Sequence, residues 1–239
     1  MPRKYIAGVL FVAVALGGAA CTRLSMKSVL QQSPSSQTNS QTTATLDGNP
    51  QYRDVAAIPG VRILLKYATE DNFTGENLYG DFRRCFLHVI AWNKLKLAGE
   101  YLREERPDLS FLVYDGLRPR SVQRRMWEKV RGGPEQAYVA DPERGSVHNF
   151  GLALDLTLQD AAGRPLDMGT PFDSFTPLSE PHREEEMLRS GKLTTAQLEN
   201  RLLLRRVMTR AGFIQLPNEW WHFDALPSYE ARRGFRIIE

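Results

Sequence analysis

Ser146-Val147-His148-Asn149-Phe150-Gly151-Leu152-Ala153-Leu154-Asp155-Leu156-Thr157-Leu158 is the stretch on which the fold turns. His148 and Asp155 are seven residues apart, too far to share one turn of helix, so a loop must present the imidazole and the next element must carry the carboxylate. From Leu152 the chain alternates, with Leu152, Leu154 and Leu156 on one side and Ala153, Asp155 and Thr157 on the other. A period of two is that of a strand, and it sets Asp155 on the face opposite the leucines. Far downstream, Glu219-Trp220-Trp221-His222 adds a second imidazole. Two imidazoles and one carboxylate are a usual protein ligand set for catalytic Zn²⁺, with one coordination position left for water. His148, Asp155 and His222 are therefore the candidate ligands, and Glu219 the candidate base beside them.

The elements around this stretch follow from periodicity and punctuation. Val61 to Tyr67 reads as a strand and Asn72-Phe73-Thr74-Gly75 as a turn. Phe86, Leu87, Ile90, Ala91, Leu95, Ala98 and Leu102 recur at helical spacing, which predicts a helix over 83–105 with His88 inside it as a packing or surface residue. Leu109 to Tyr114 is a strand leading into Asp115-Gly116-Leu117-Arg118-Pro119. Arg118, in a turn at a strand end, can grip an oxyanion with a fixed fork of donors, or it can form a salt bridge with Asp115. Helices are expected over 121–131 and 194–211, the second capped by Thr194 or Thr195 and closed by Gly212. Phe213 to Leu216 and Trp221 to Asp224 read as strands. Helices and strands do not alternate regularly enough for a doubly wound sheet. The order predicts an α+β domain, with a mostly antiparallel sheet carrying the metal and helices packed to one side.

The first fifty residues are of another kind. Arg3 and Lys4, the apolar run Ile6 to Leu16 and the small residues Gly18-Ala19-Ala20 have the three parts of an export signal over 1–20. The apolar run is too short to be a convincing membrane span. Cys21 comes directly after it, the arrangement of a lipoprotein signal, although Gly18 stands where such signals usually carry Leu. Cleavage after Ala20 that leaves Cys21 unmodified is the alternative. The polar run Ser33 to Thr43 makes 21–53 a flexible tether, and the folded domain is expected over 54–239. An exported chain held to the cell envelope, through a lipid on Cys21 or free in the periplasm, is the placement these segments imply. Cys85 is the second of two cysteines, too few for a disulfide framework. A net charge of +3 with a quarter of the residues charged gives no nucleic-acid footprint, and the basic residues near 201–210 lie close to glutamates, as on a solvated helix face.

Tyr67-Ala68-Thr69-Glu70-Asp71-Asn72-Phe73-Thr74-Gly75, Asp115-Gly116-Leu117-Arg118-Pro119, the His148 to Leu158 block and Glu219-Trp220-Trp221-His222, in that order, resemble the zinc D-alanyl-D-alanine dipeptidases, vancomycin-resistance type included, within the zinc D,D-peptidases. The resemblance runs from about residue 55 to the C-terminus. It implies one Zn²⁺ on His148, Asp155 and His222, Glu219 as general base and then acid, and Arg118 on the tetrahedral intermediate. It also puts Tyr67, Ser146 and Asp173 around the ammonium group of a D-Ala-D-Ala substrate. Asn149-Phe150 departs from the family pattern, and so does 175–186, where His182 has no assigned part. A D,D-carboxypeptidase or endopeptidase acting on peptidoglycan stems is the rival within enzymes. A non-catalytic peptidoglycan-binding lipoprotein is the rival outside them.

Overall fold

A computed structural model describes residues 45–239. The export signal, Cys21 and the tether as far as residue 44 lie outside the described residues. The tether boundary itself moves. Leu46 and Tyr52 are buried in the domain core, and Tyr52–Asp54 forms strand β1, so residues 45–53 belong to the folded unit and not to the tether. Arg84 fastens this entry segment by ion pairs to Asp47 and Asp54.

After β1 the chain forms β2 (Val61–Ile63), β3 (Phe86–His88), α1 (Val89–Glu105), β4 (Ser110–Asp115), α2 (Arg120–Val130) and β5 (Ala153–Gln159). There follow α3 (Glu184–Arg189), α4 (Thr195–Arg210), β6 (Ile214–Gln215), β7 (His222–Asp224) and α5 (Ser228–Gly234). Five strands make one sheet in the order β2-β4-β5-β7-β6; β2 joins β4 in parallel, and the other pairings are antiparallel. The α+β class and the mostly antiparallel metal-bearing sheet are as the sequence predicts. β1 and β3 form a separate antiparallel pair.

Two boundaries differ from the sequence reading. The helix expected from residue 83 begins at Val89, because Phe86–His88 pairs with β1 and His88 caps the helix, its Nδ1 accepting from the Ile90 N–H at 3.3 Å. The strand expected over Val61 to Tyr67 stops at Ile63, and Lys66–Ala68 turns as a 3-10 helix that drives Tyr67 into the interior.

β5 is buried along its whole length. Its leucine face, Leu154, Leu156 and Leu158, is fully enclosed, and each such side chain contributes roughly 1.5–3 kcal/mol of burial. α1 packs on β4, α4 on β5, and the two helices on each other, so they cover the same face of the sheet. α1 turns Ala91, Leu95, Ala98 and Leu102 inward at spacings of four, three and four. α4 starts on a capping box in which Thr194 Oγ1 accepts from Gln197 N–H and Gln197 returns a bond to Thr194. The opposite face of β5 carries Asp155.

Candidate metal centre

The loop before β5 is a capped 3-10 turn, Val147–Phe150. Ser146 Oγ accepts from the His148 N–H at 3.3 Å, and Asn149 Oδ1 accepts from the Ser146 N–H at 2.8 Å. Asn149 Nδ2 also donates to the Arg118 carbonyl at 2.7 Å. The Asn149-Phe150 departure is thus inside the protein, with Asn149 tying the ligand turn to the Arg118 turn and Phe150 buried in the core. Gly151 ends the turn at φ 68°, where a Cβ would come within 2.9 Å of His88 N and 3.0 Å of the Tyr52 ring. Glycine is needed there on both counts.

Strand register does the rest. Asp155 on β5 stands directly opposite His222 on β7 and is paired with Asp115 on β4 across an irregularity in the ladder. His148 Nε2 lies 3.2 Å from His222 Nδ1 and 3.4 Å from Asp155 Oδ1, and His222 Nδ1 lies 3.0 Å from the same oxygen. Ligands about 2.0–2.1 Å from a tetrahedral ion are about 3.3 Å from one another. The three atoms have that spacing.

The outward ring nitrogens fix the tautomers. His148 Nδ1 is 2.7 Å from the Gly116 carbonyl, which can only accept, so Nε2 turns its lone pair inward. His222 Nε2 donates to Asp224 Oδ1 at 2.8 Å, which turns Nδ1 inward. A carboxylate behind a ligating imidazole orients it and raises its basicity. Burial opposes charge on His222, but Asp224 and Asp155 overcome it and raise its pKa well above the ordinary value. Burial would likewise raise the Asp155 carboxyl, yet His148 and His222 hold it well below the usual carboxylate range. Donor type, spacing and orientation all fit a divalent cation.

The triad opens into a cavity of about 230 Å³, small beside the roughly 300–1,000 Å³ of drug-sized ligand sites. All eight residues singled out in the sequence line it: His148, Asp155, His222, Glu219, Arg118, Tyr67, Ser146 and Asp173. Glu219 Oε2 is 3.8 Å from His222 Nδ1, and its carboxylate accepts no hydrogen bond from any described residue. Burial raises its pKa to about 7, with His222 pulling down and Asp155 pushing up. The salt-bridge reading of Arg118 holds, and the bridge leaves the guanidinium at the cavity wall. Its Nε donates to Asp115 Oδ2 at 2.8 Å and Nη1 to Gln123 Oε1 at 2.9 Å, while Nη2 lies 3.5 Å from Asp155 Oδ2 and the guanidinium 4.9 Å from the Tyr67 ring centre. The salt bridge aims the guanidinium into the cavity.

Asp173 is the single described non-glycine residue at positive φ, 60°. Its Oδ1 accepts from Tyr67 OH at 2.9 Å and Oδ2 from the Phe73 N–H at 3.3 Å. Burial pushes its pKa well above the usual value, and no described cation pairs with it. A half-buried carboxyl held in strained backbone at a cavity wall is suited to an incoming cation.

Residues 50–235 match the family model described as D-ala-D-ala dipeptidase, Peptidase_M15. This chain belongs to that family. A D-alanyl-D-alanine dipeptidase of Escherichia coli is 39% identical over 172 residues, covering 72% of this chain and 82% of that protein. Proteins of the same name from Streptomyces coelicolor and Enterococcus faecalis are 32% and 30% identical, each over 70% of this chain and over 86% and 87% of their own lengths. Members of the M15 family are metal-dependent peptidases, and the His148, Asp155 and His222 cluster accords with that.

Of three supports of this M15 site, Asp115 is the salt-bridge partner that the sequence offers for Arg118, and Asp224 and Gln123 escape the sequence reading. Asp224 backs His222; as the second residue on from it in a strand, it shares its face, and that spacing could have revealed it. Asp115 holds Arg118 and also accepts from Tyr79 OH. Gln123 braces the other side of Arg118 from α2. His182, by contrast, is exposed, bonded to the Pro217 carbonyl at 2.7 Å and outside the cavity. The 175–186 segment that departs from the family pattern props the Glu219 loop, since Trp220 N–H donates to Ser179 O and His182 N–H to Pro217 O.

Proposed function

We propose that this M15 enzyme is a D-alanyl-D-alanine dipeptidase that hydrolyses the amide of D-Ala-D-Ala with one Zn²⁺ on His148, Asp155 and His222. The observation that carries the reading is three inward-facing ligand atoms 3.0–3.4 Å apart in the same small cavity as the half-buried Asp173 carboxyl, which has no cation partner among the described residues. When bound, the ion supplies Lewis acidity and brings the pKa of water to about 7.

The chain's own groups account for the remaining steps. Asp173, with Tyr67 and Ser146, takes the substrate ammonium, and the ion pair forms in a closed pocket where it is strong. Arg118 meets the scissile carbonyl oxygen as charge grows there, a contribution on the order of 100-fold in turnover for such a donor. Glu219 accepts the proton of the attacking water and passes it to the amine nitrogen as the C–N bond breaks, leaving two molecules of D-alanine. A carboxylate within reach of both the water and the leaving nitrogen can do both. Tyr67 packs edge to face on Phe73 and Phe172, and Phe73 lies tilted against Phe175, so an aromatic cluster stands beside Asp173 where a longer chain would extend.

Metal analysis of the purified protein, with cleavage of D-Ala-D-Ala and its N-acetyl derivative measured side by side, tests this. Zinc near one per chain and a strong preference for the free amine are expected. Efficient cleavage of the acylated compound would overturn the dipeptidase reading in favour of a D,D-carboxypeptidase. The reading extends to placement: the Met1 to Cys21 sequence supports export to the envelope with a lipid on Cys21, where the enzyme would consume dipeptide released in peptidoglycan turnover. Cys21→Ser should then shift the protein from the membrane to the soluble fraction, and an unchanged distribution would refute the anchor.

A further inference from the structure

A dipeptide is a zwitterion, and the arrangement above answers only one of its charges. We propose that Arg232, steadied by Ser228, receives the carboxylate at the substrate's C-terminal end; the assignment rests on the dipeptidase reading. Arg232 and Ser228 come from α5 and line the same cavity as the ligand triad. Among the described residues lining that cavity, Arg118 and Arg232 carry the permanent positive charges. Arg118 is already paired with Asp115 at 2.7 Å, and the dipeptidase reading spends it on the scissile carbonyl. Arg232 has no carboxylate within ion-pair distance among the described residues.

Its bonds go to neutral acceptors instead. Nε donates to the Arg144 carbonyl at 3.2 Å and the Gly145 carbonyl at 3.3 Å, Nη2 to Gly145 O at 3.3 Å, and Nη1 to Ser228 Oγ at 3.2 Å. Such contacts orient a guanidinium without cancelling its charge. A guanidinium has five N–H donors. The contacts use the one on Nε and one on each terminal nitrogen, so one N–H remains on Nη1 and one on Nη2. Those two N–H groups are the donors left to meet a carboxylate.

The anchor is also fixed relative to the chemistry. Arg144 and Gly145 run directly into Ser146 and the His148 turn, and α5 packs against that turn. Ile238 N–H closes the attachment by donating to Asn149 O at 2.9 Å. The anionic pole at Asp173 is built from the Tyr67–Phe73 segment and the 168–175 loop, whereas the cationic one comes from the C-terminal helix. Two poles of opposite charge on different walls, with the ligand triad in the same cavity, match a short zwitterion whose scissile bond lies between its charges.

The test compares D-Ala-D-Ala with its C-terminal amide, D-Ala-D-Ala-NH₂, on the zinc-loaded enzyme and on Arg232→Gln and Arg232→Lys. The ratio of kcat/KM for the acid over the amide should be high in the unaltered enzyme. It should fall about ten- to hundredfold in Arg232→Gln, the range of a hydrogen bond to a charged group, with most of the change in KM. Arg232→Lys, which keeps the charge and loses the guanidinium, should fall between. A merely structural part for Arg232 would lower both substrates together and leave the ratio where it was. An unmoved ratio, with rates either kept or jointly reduced, overturns the assignment while the dipeptidase reading stands. An unaltered enzyme that cleaves neither compound overturns the dipeptidase reading, and this assignment with it.

Discussion

Replacing Glu219 by Gln removes a carboxyl whose ionisation is opposed by burial, and the consequence for stability has a definite sign. The group's ordinary pKa of 4.5 is raised to about 7 in the folded protein. Between those values the folded state holds a proton that the unfolded chain has lost, so stability falls as pH rises from 4.5 to 7, and the penalty is complete above that. The distance between the two values corresponds to roughly 3 kcal/mol. Glu219→Gln should therefore stabilise the metal-free protein by roughly 3 kcal/mol near pH 8 and by less than about 1 kcal/mol near pH 4.5. Urea unfolding with a chelator present, at both pH values, reads this as a midpoint shift of about 1 M or more at pH 8. The same variant should lose hydrolysis. An equal gain at both pH values would trace the effect to packing, and no gain at pH 8 would mean that the Glu219 carboxylate finds a partner in the folded protein.

His148→Ala should lose both zinc and activity, whereas Glu219→Ala keeps zinc and loses turnover, by metal analysis and a dipeptide assay; a zinc-free Glu219→Ala protein would contradict the division of roles. Asp224→Asn should weaken zinc about 10- to 100-fold in competition with a chromogenic chelator, since the imidazole loses its anionic support. Equal affinity would show that Asp224 does no more than pack. Gly151→Ala should destabilise the fold by at least about 1–2 kcal/mol, because a side chain at φ 68° meets His88 N at 2.9 Å. A neutral substitution in thermal unfolding would mean that the turn relaxes.

The ligand set was legible in the sequence because residue chemistry and strand period speak together there. Leu152 to Thr157 alternates, so Asp155 had to face away from the leucines, and it does. Phe86 to Ile90 misled for a related reason. Apolar residues at 86, 87, 90 and 91 suit a helix, but the strand that claims 86–88 lies more than thirty residues upstream, in a polar stretch whose few apolar members include Leu46 and Tyr52. Local periodicity carries no information about a distant partner. The two readings of Arg118 are not rivals, because a guanidinium has donors enough to bond Asp115 and Gln123 and still face the cavity. The remaining supports were least legible, since Gln123 and Asp224 are ordinary polar residues until their neighbours are known.

The site and the sheet are one determination. Asp155 and His222 meet because β5 and β7 pair in a register that also sets Leu154 against Phe223, and both of those are fully buried. A slip of one residue would turn the leucine face of β5 out of the core and carry Asp155 into it, away from both imidazoles. The burial of three leucines on β5 therefore holds the ligand geometry. Gly116 and Asp224 back the two imidazoles, so the fold itself orders the donors that a divalent ion would use. Metal removal should accordingly leave the sheet intact while abolishing hydrolysis, in contrast to small zinc domains that unfold when stripped.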